Sequence, residues 1–348
     1  MRTIFLLLFL LLFQINLTAQ SEFEIAIDQN QRPSSIKLNL EFKDSFNNYT
    51  TLPVMIVKGK SKGPVFTALA GVHGAELAPI IAVQELIKEI NPVDLNGTLI
   101  LIPITNIGSF YGYTPYINPI DQRNINRLSP GRADGTVSEK ISHFISSKII
   151  PISDVFIDAH SGDSNEDLLP FVCYYENTSF PDQTKQAKHL SEISGFENVI
   201  SYPYNLRDDQ PAKFVFKEAC QKGKIALSFE SGKLGYIQQE AVERNKRGFR
   251  RILNELGMYA YNDPLGDSVF EVLNPPNYMD STTRGIFYSD LKAGDTVKEG
   301  QKLGYITDEF GKVIEEFYSN TSGTILYMKG VPPTNIDDTV FSISPYQK

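Results

Sequence analysis

Four histidines occur in this 348-residue chain, and two of them stand where a metal site is expected. His73 follows an apolar run at residues 65–70, and Glu76 comes three residues later. His160 follows a second, largely apolar run at residues 155–159. In open α/β sheets, ligands bind beyond the carboxyl ends of the strands, so we expect these three side chains to meet at one sheet edge. Two imidazoles and a carboxylate, with one position left open, are typical of catalytic zinc, and we expect one zinc ion per chain.

The metal interpretation depends on several features taken together. Alone, Glu76 would also suit the first turn of a helix, where the helix dipole favours an acidic side chain. Gly71 and Gly74 favour the metal interpretation, because glycine lets the backbone approach a bound group closely. His143 and His189 lie among polar residues in helical patterns, and we interpret both as solvent-facing.

Two more carboxylates lie at or near the ends of predicted strands. Glu230 follows the apolar run at residues 225–229, where a carboxylate can accept a proton from metal-activated water. The alternative is a surface glutamate in a turn. Asp158 precedes His160 by two residues on one predicted strand, so both side chains face the same side. We expect Asp158 either to contact the far ring nitrogen of a ligand histidine or to be an ordinary polar residue.

Short apolar runs alternate with longer amphipathic segments between residues 51 and 256. This alternation predicts the α/β class, with a mixed, partly parallel sheet flanked by helices. Residues 35–57 alternate without helical spacing and predict a hairpin or an edge pair. The predicted strands are residues 54–57, 65–70, 98–103, 155–158, 171–175 and 225–229. The predicted helices are residues 76–90, 137–149, 183–193, 212–221 and 237–256.

Helical periodicity disappears towards the carboxyl terminus, where glycines interrupt short β runs. We therefore divide the chain into a leader at residues 1–20, an α/β domain at residues 21–262 and an all-β, barrel-sandwich module at residues 263–348. Residues 291–304 resemble half of a biotinyl/lipoyl-type β sandwich. Lys329 comes too late in the second half to be a carrier lysine, which lies at the hairpin between the halves. We expect the module to pack beside the active site and narrow access to it.

The amino terminus has the three parts of a secretory signal peptide. Arg2 precedes an apolar run at residues 4–13 and a softer exit that includes Ala19 and Gln20. A membrane anchor is the alternative, but it needs about 20 apolar residues, roughly twice the length of this run. We expect cleavage near Ala19 or Gln20, export to the periplasm or the medium, and no membrane association of the mature protein.

Composition restricts the partners and the kinds of site. A formal net charge of −8 argues against a nucleic-acid partner, which needs a basic surface. Cys173 and Cys220 are the only cysteines, too few for a cysteine-ligated zinc site. In an exported chain they could form one disulfide. The sequence does not determine whether these two cysteines pair, and it does not determine the oligomeric state.

Four short motifs, in order along the chain, resemble a known enzyme family. They are Gly-Val-His-Gly-Ala-Glu at residues 71–76, Asn-Ile-Asn-Arg at 124–127 with Pro-Gly at 130–131, Asp-Ala-His at 158–160, and Glu-Ser-Gly at 230–232. Together they resemble the succinylglutamate desuccinylase/aspartoacylase family, a branch of the zinc carboxypeptidase-like hydrolases. The resemblance implies a zinc-dependent α/β amidohydrolase with one metal ion. It also implies that His73, Glu76 and His160 are the zinc ligands and that Glu230 is the catalytic glutamate.

Substrate recognition is the second implication of the resemblance. Asn126 and Arg127 match the pair that binds the substrate carboxylate, and a guanidinium suits this task because it binds a carboxylate through two parallel hydrogen bonds. One position departs from the family pattern. Tyr113 stands where related sequences usually carry a second arginine, and Arg123 is the candidate substitute. Loss of an oxyanion partner costs about 100- to 1000-fold in rate, so the departure predicts reduced activity or an altered substrate.

These residues favour an exported zinc amidohydrolase, or deacylase, that cleaves small N-acyl amino acids or related carboxylate-bearing substrates. A zinc carboxypeptidase or amidase acting on short or cell-wall peptides is the alternative enzyme, because export counts against the intracellular roles for which the family is named. A catalytically weak, zinc-containing binding protein is the alternative outside the enzymes. Tyr113 favours that last hypothesis and Glu230 disfavours it.

Overall fold

A nine-stranded sheet forms the centre of the structure, a computed structural model that describes residues 18–261 and 269–346. All of the first ten strands except β6 belong to it. In chain order they are β1 (Ser34–Lys43), β2 (Tyr49–Lys58), β3 (Ser61–Ala70), β4 (Asn96–Ile102), β5 (Val155–His160), β6 (Glu166–Leu168), β7 (Phe171–Glu176), β8 (Asn198–Pro203), β9 (Ile225–Glu230) and β10 (Glu271–Leu273).

The strand order in the large sheet is β1-β2-β4-β3-β5-β9-β7-β8-β10. Strands β4, β3, β5 and β9 are parallel neighbours, and so are β7, β8 and β10. The pairs β1–β2, β2–β4 and β7–β9 are antiparallel. The predicted mixed, partly parallel sheet is therefore confirmed, and β1–β2 is the predicted edge hairpin.

Helices cover both faces of this sheet. They are α1 (Ala19–Asp28), α2 (Leu77–Glu89), α3 (Ile107–Gly112), α4 (Val137–Phe144), α5 (Pro181–Ile193), α6 (Val215–Gln221) and α7 (Gln239–Glu255). The predicted helices correspond to α2 and α4–α7, and α4 continues into a π-helical turn at Ile145–Ile149. Helices α2, α5 and α7 bury their apolar residues in one core, while α1, α4 and α6 bury theirs in the other.

Strand β5 shows why the central strands read as nearly continuous apolar runs. Its six residues are all buried. Val155, Ile157 and Ala159 pack in the core of α2, α5 and α7, whereas Phe156 packs in the opposite core. A strand covered by helices on both faces has no solvent-facing side, so its sequence loses the usual alternation of polar and apolar residues.

The amino-terminal leader predicted at residues 1–20 lies mostly outside the described residues. Ala19 and Gln20, near which cleavage is predicted, form the start of α1. This helix packs on the α/β domain through Phe23, and the buried ammonium of Lys58 donates hydrogen bonds to the carbonyl groups at its carboxyl end, including that of Ala26 at 2.6 Å. In the described parts of the chain, every helix is too short or too polar to cross a bilayer.

Residues 269–346 form β strands, as predicted, and almost all of these strands belong to two small antiparallel sheets. The strands are β11 (Asn277–Asp280), β12 (Gly285–Tyr288), β13 (Thr296–Val297), β14 (Lys302–Thr307), β15 (Val313–Tyr318), β16 (Gly323–Lys329), β17 (Pro333–Thr334) and β18 (Thr339–Pro345). The sheet orders are β11-β18-β16-β13 and β15-β14-β12-β17, and both sheets contribute to a core that contains Phe287, Phe317 and Phe341.

In the described residues, two strand pairings connect the carboxyl-terminal segment with the α/β domain. Strand β10 extends the large sheet beside β8, although it lies within the segment assigned to the module. Strand β6, which belongs to the α/β domain by sequence, pairs with β16 of the module. The domain boundary at residue 262 lies outside the described residues. Cys173 and Cys220 are both buried free thiols.

Candidate active site

The three predicted metal ligands meet at one edge of the large sheet. The Nδ1 atom of His73 lies 2.7 Å from Oε1 of Glu76, and the Nδ1 atom of His160 lies 2.8 Å from Oε2 of the same carboxylate. One donor atom from each residue lies within 4.8 Å of the others, and all three side chains are buried. The structure therefore brings together the residues that two separate segments of sequence supplied.

Local backbone geometry places these ligands. After β3 ends, the chain turns through Gly71, whose φ of +65° favours glycine, and reaches His73. A Cβ atom at Gly74 would collide with the backbone of Ser109 in α3, so only glycine fits this close approach. Glu76 is the residue before α2, and its side chain points to the histidines instead of capping the helix.

The second nitrogen of each imidazole faces another polar group. Nε2 of His160 lies 3.0 Å from Oδ1 of Asp158, at ion-pair distance but without the alignment of a hydrogen bond. Nε2 of His73 lies 3.3 Å from Oδ1 of Asn124. The predicted contact between Asp158 and a ligand histidine is present. Contacts of this kind orient a metal-binding imidazole and fix which nitrogen faces the metal.

The charges in this cluster favour a bound cation. Burial opposes ionisation of Glu76, but His160 and His73 outweigh it and lower the pKa of Glu76 to about 2. Burial also opposes protonation of His160, but Asp158 and Glu76 outweigh it and raise the pKa of that imidazole. The carboxylates thus hold positive charge at the ring nitrogens, and a divalent metal can replace the protons there. Two imidazole nitrogens and a carboxylate oxygen fit zinc.

Two cavities meet beside the cluster. The main cavity has a volume of about 580 Å³, and the residues that line it include Tyr116, Arg127, Glu166, Glu230 and Lys329. The aromatic cavity has a volume of about 490 Å³ and is lined by His160, Asn126, Glu230 and a set of aromatic side chains. A third cavity of about 620 Å³ lies between the carboxyl-terminal module and a part of the α/β domain that includes Asp167 and Lys233, and it touches no predicted site residue. Chemistry therefore belongs to the first two cavities.

Glu230 borders both of these cavities. It ends β9 and stands directly beside His160 in the register of the parallel pair β5–β9. Its side chain is only partly exposed, and it faces the cavities. Burial raises the pKa of Glu230 to about 8, although the nearby His160 acts to lower it. A carboxyl group with such a pKa exchanges a proton readily near neutral pH, which suits general acid–base catalysis.

Asn126 and Arg127 lie in a short 3₁₀ turn at Ile125–Arg127. The guanidinium carbon of Arg127 lies 4.8 Å from the ring centroid of Phe214, and its Nη1 donates a hydrogen bond to the backbone carbonyl of Asn126 at 2.8 Å. In residues 18–261 and 269–346, no carboxylate forms an ion pair with Arg127. The buried Oδ1 atom of Asn126 also has no hydrogen-bond partner there. Both side chains are therefore available to bind a ligand.

Neither Tyr113 nor Arg123 reaches the two cavities. Tyr113 is 56 % exposed, and its hydroxyl donates a hydrogen bond to the backbone carbonyl of Gly235 at 2.8 Å. Arg123 is exposed as well. The idea that Arg123 replaces the second arginine of the family is therefore not supported, and Arg127 is the one arginine that lines either cavity in the described part of the chain.

Sequence reasoning missed Tyr116 and Glu166, which the structure places beside the metal ligands. The Tyr116 ring meets His73 edge to face, with centroids 5.3 Å apart, and its hydroxyl donates a hydrogen bond to Oε1 of Glu166 at 2.7 Å. Burial, then Glu166, raise the pKa of Tyr116 well above its usual range, and burial raises the pKa of Glu166. The only available signal was a tyrosine and an acidic residue near two motifs, which is too common to be informative.

The carboxyl-terminal module supplies part of the wall of the main cavity, as predicted. Tyr327, Lys329 and Asp338 line it. Lys329 lies in β16, is buried, and forms an ion pair with Asp338 at 2.7 Å. This lysine therefore lies in the wall of the main cavity and has no exposed position at a hairpin.

Comparison with known proteins gives the family. Residues 62–256 match the catalytic domain of the succinylglutamate desuccinylase/aspartoacylase family. The chain belongs to this family. The match runs from the second residue of β3 to the end of α7 and includes all the predicted ligands, Glu230 and the Asn126-Arg127 pair. The chain is therefore a hydrolase of the amide-cleaving class by family.

Individual relatives agree with this assignment. The chain is 27 % identical over 316 residues to the N-alpha-acetyl-L-2,4-diaminobutyric acid deacetylase of Halomonas elongata, covering 89 % of this chain and 90 % of the relative. Its fold is similar to that of a succinylglutamate desuccinylase/aspartoacylase from Rhodobacter sphaeroides, with a TM-score of 0.78, 23 % identity and coverage of 91 % and 97 % of the two chains.

A second solved structure is similar over the same extent. It is the product-bound ectoine utilization protein EutE (DoeB) of Ruegeria pomeroyi, with a TM-score of 0.79, 22 % identity and coverage of 91 % and 96 %. At these identities the two structures establish the fold alone. They show that the carboxyl-terminal module, as well as the catalytic domain, is part of the architecture that this chain shares.

Proposed function

We propose that this chain is a zinc-dependent deacylase that hydrolyses the amide bond of small N-acyl amino acids. One observation carries the proposal: a buried His-Glu-His cluster, a carboxylate on the adjacent strand and a guanidinium that has no acidic partner in the described residues converge on the same sheet edge. The H. elongata relative, whose name gives N-alpha-acetyl-L-2,4-diaminobutyric acid as its substrate, supports the same class of reaction.

The metal ligands and Glu230 carry the proposed chemistry. His73, Glu76 and His160 would hold the zinc ion, which supplies Lewis acidity that polarises a carbonyl group and makes water more acidic. Glu230 stands beside His160 and takes the proton from the attacking water. It then gives that proton to the amine that leaves, which completes the cleavage of the amide bond.

Asn126 and Arg127 orient the substrate. The guanidinium of Arg127 lines the main cavity without a carboxylate partner in the described residues, so a substrate carboxylate can bind it through two parallel hydrogen bonds. The amide of Asn126 faces the aromatic cavity and can bind the same substrate group. Fixing the carboxylate in this way aligns the neighbouring amide with Glu230, which is a gain from orientation.

The absence of a second arginine from the two cavities, within residues 18–261 and 269–346, favours a second candidate function. This candidate is a binding protein that retains zinc and binds carboxylates but hydrolyses its ligand only weakly, which would be consistent with the missing arginine. A peptidase or amidase acting on short or cell-wall peptides would use the same catalytic residues. Turnover of N-acyl amino acids in preference to dipeptides and muropeptides separates the proposal from both alternatives.

The carboxylate clamp gives a test of the proposed substrate class. Charge-assisted hydrogen bonds contribute about 1.5–3 kcal/mol each, so Arg127→Ala should lower kcat/KM for an N-acyl amino acid at least about tenfold. Replacing the substrate carboxylate by a neutral amide should lower the kcat/KM of the wild type by a similar factor. The two losses should not add, because both remove the same interaction.

Steady-state kinetics on the four combinations of enzyme and substrate provide the measurement. Arg132→Ala is a matched control, because Arg132 is exposed and pairs with Asp134 on the surface. This control should keep wild-type kcat/KM on both substrates. Additive losses, or a wild type that is indifferent to the carboxylate, would show that Arg127 has another role and that the substrate class is wrong.

We also propose that the protein is exported, on the basis of the leader at residues 1–20. Expression of the full chain in a diderm bacterium should yield a mature form in the periplasm or the medium whose amino terminus lies near Gln20. Cell fractionation and amino-terminal sequencing provide the measurement. A protein that keeps Met1 and stays in the cytoplasm would contradict the proposal without affecting the assignment of the catalytic residues.

A further inference from the structure

We propose that the aromatic cavity binds the side chain of the released amino acid and selects aromatic or bulky apolar side chains over small and cationic ones. The inference rests on the proposed function, because it takes the carboxylate of the substrate to lie at Asn126 and Arg127. It concerns a different set of residues, however, and can be tested by equilibrium binding, without turnover.

The position of the cavity identifies which part of the substrate enters it. His160, Glu230 and Asn126 all line the cavity, so it borders both the reacting bond and the carboxylate clamp. Phe214 lines the cavity and also stacks on the guanidinium of Arg127. In an N-acyl amino acid, the carbon between the carboxylate and the amide nitrogen carries the side chain. When the carboxylate and the amide of the substrate are held by these residues, the side chain lies next to the aromatic cavity.

The walls of the cavity are suited to an apolar group. The aromatic side chains in the lining are Phe171, Tyr175, Tyr202, Phe214, Phe216 and Tyr278. Tyr175 stacks on Phe216 with centroids 4.9 Å apart and lies 5.9 Å from Tyr202, so the rings form a connected surface. Aromatic rings gain from packing against other rings in addition to the area they bury. The volume of about 490 Å³ is ample for a phenyl or indolyl group.

Lys217 explains the predicted discrimination against cationic side chains. This lysine lines the cavity, and its ammonium lies 4.9 Å from the ring centroid of Tyr175 and 5.8 Å from that of Tyr204. In the described residues, its ammonium forms no ion pair with an acidic side chain. An ammonium group on a ligand would meet the positive charge of Lys217 inside the cavity, whereas an aromatic ligand can share the cation–π contact.

Binding of free amino acids tests the selectivity directly. Zinc-loaded wild-type protein should bind L-phenylalanine at least about tenfold more tightly than L-alanine, because burial of a large apolar side chain is worth a factor of this size or more. L-Lysine, which has a long aliphatic stem, should bind no more tightly than L-alanine. Isothermal titration calorimetry with the three amino acids provides the measurement. Equal affinities for phenylalanine and alanine, or no binding of phenylalanine, would overturn the inference.

A charge reversal separates a general effect of size from selection by Lys217. Lys217→Glu should increase the affinity for L-lysine about tenfold and leave the order of phenylalanine above alanine unchanged. Lys185→Glu on α5 makes the same change of net charge at an exposed position outside both cavities and should leave all three affinities unaltered. An unchanged affinity for lysine in a folded Lys217→Glu protein would overturn the role assigned to this residue.

Hydrolysis of the corresponding N-acetyl amino acids distinguishes this inference from the proposed function. N-Acetyl-L-phenylalanine should be hydrolysed with at least about tenfold higher kcat/KM than N-acetyl-L-alanine. If phenylalanine binds selectively but no N-acyl amino acid is hydrolysed, the proposed function fails and the assignment of the cavity stands. If N-acyl amino acids are hydrolysed without regard to the side chain, the proposed function stands and the assignment of the cavity fails.

Discussion

The variant His160→Ala is expected to lose its bound zinc and its hydrolytic activity together. The imidazole of His160 is one of three ligands, and its Nδ1 atom lies 2.8 Å from the Glu76 carboxylate that completes the site. Removal of a group that only supports a metal ligand already costs about 10- to 100-fold in affinity or activity, so loss of a ligand should exceed 100-fold in both. Metal analysis after dialysis, together with initial rates, provides the measurement.

His189→Ala is the matched control for this experiment. His189 lies on the exposed side of α5, pairs with Glu255 at 2.6 Å and lines neither cavity. The control should retain one zinc ion per chain and wild-type activity. Two tightly bound metal ions per wild-type chain, or none in an active protein, would contradict the assignment of a single site. Retention of zinc by His160→Ala would remove this residue from the ligand set.

The metal cluster could be predicted because its residues are fixed by strand ends. His160 ends β5 and Glu230 ends β9, and parallel neighbours finish at the same edge of a sheet, so their proximity follows from two apolar runs alone. His73 lies three residues beyond the end of β3, which is the other neighbour of β5. Strands that are buried on both faces have nearly continuous apolar sequences, so their ends can be located accurately. The positions of the ligands at those ends can therefore be predicted as well.

The walls of the two cavities could not be predicted in the same way. Tyr116 and Glu166 lie on a loop and a short edge strand that have no apolar periodicity. The residues of the aromatic cavity come mainly from the 3₁₀ turn, β5, β7, β8, α6, β9 and residues 275–278, which are separated by up to about 150 residues of chain, and only tertiary packing brings them together. A single aromatic residue in such a segment is equally typical of an ordinary core.

Helix α1 and strand β10 illustrate a different limit of sequence reasoning. Phe23 and Ala26 make α1 amphipathic over only ten residues, directly after an apolar leader that obscures the pattern. Strand β10 has three residues and gains its stability from pairing with β8. Short elements carry too little periodicity to be recognised, because their conformation depends on tertiary contacts.

The second large effect is expected from Glu230→Gln, which should lower kcat at least about 100-fold while leaving the zinc content unchanged. General acid–base catalysis contributes about 10²- to 10⁴-fold, and glutamine keeps the size of the side chain but cannot accept the proton. Glu230 is not in the ligand cluster, so the metal should remain bound. KM should change little, because the proposed carboxylate contacts are made by Asn126 and Arg127.

Glu176→Gln provides a control that matches Glu230 in its place on a strand. Glu176 ends β7, the strand next to β9, but it is exposed and lines neither cavity. This variant should keep wild-type kcat, because a glutamate at a strand end cannot act as the catalytic base unless it also lines the cavities. Zinc content, kcat and KM measured on both variants separate proton transfer from metal binding. Near wild-type turnover by a zinc-loaded Glu230→Gln protein would place the base elsewhere, and Glu166, whose carboxylate lines the main cavity, would then be the next residue to replace.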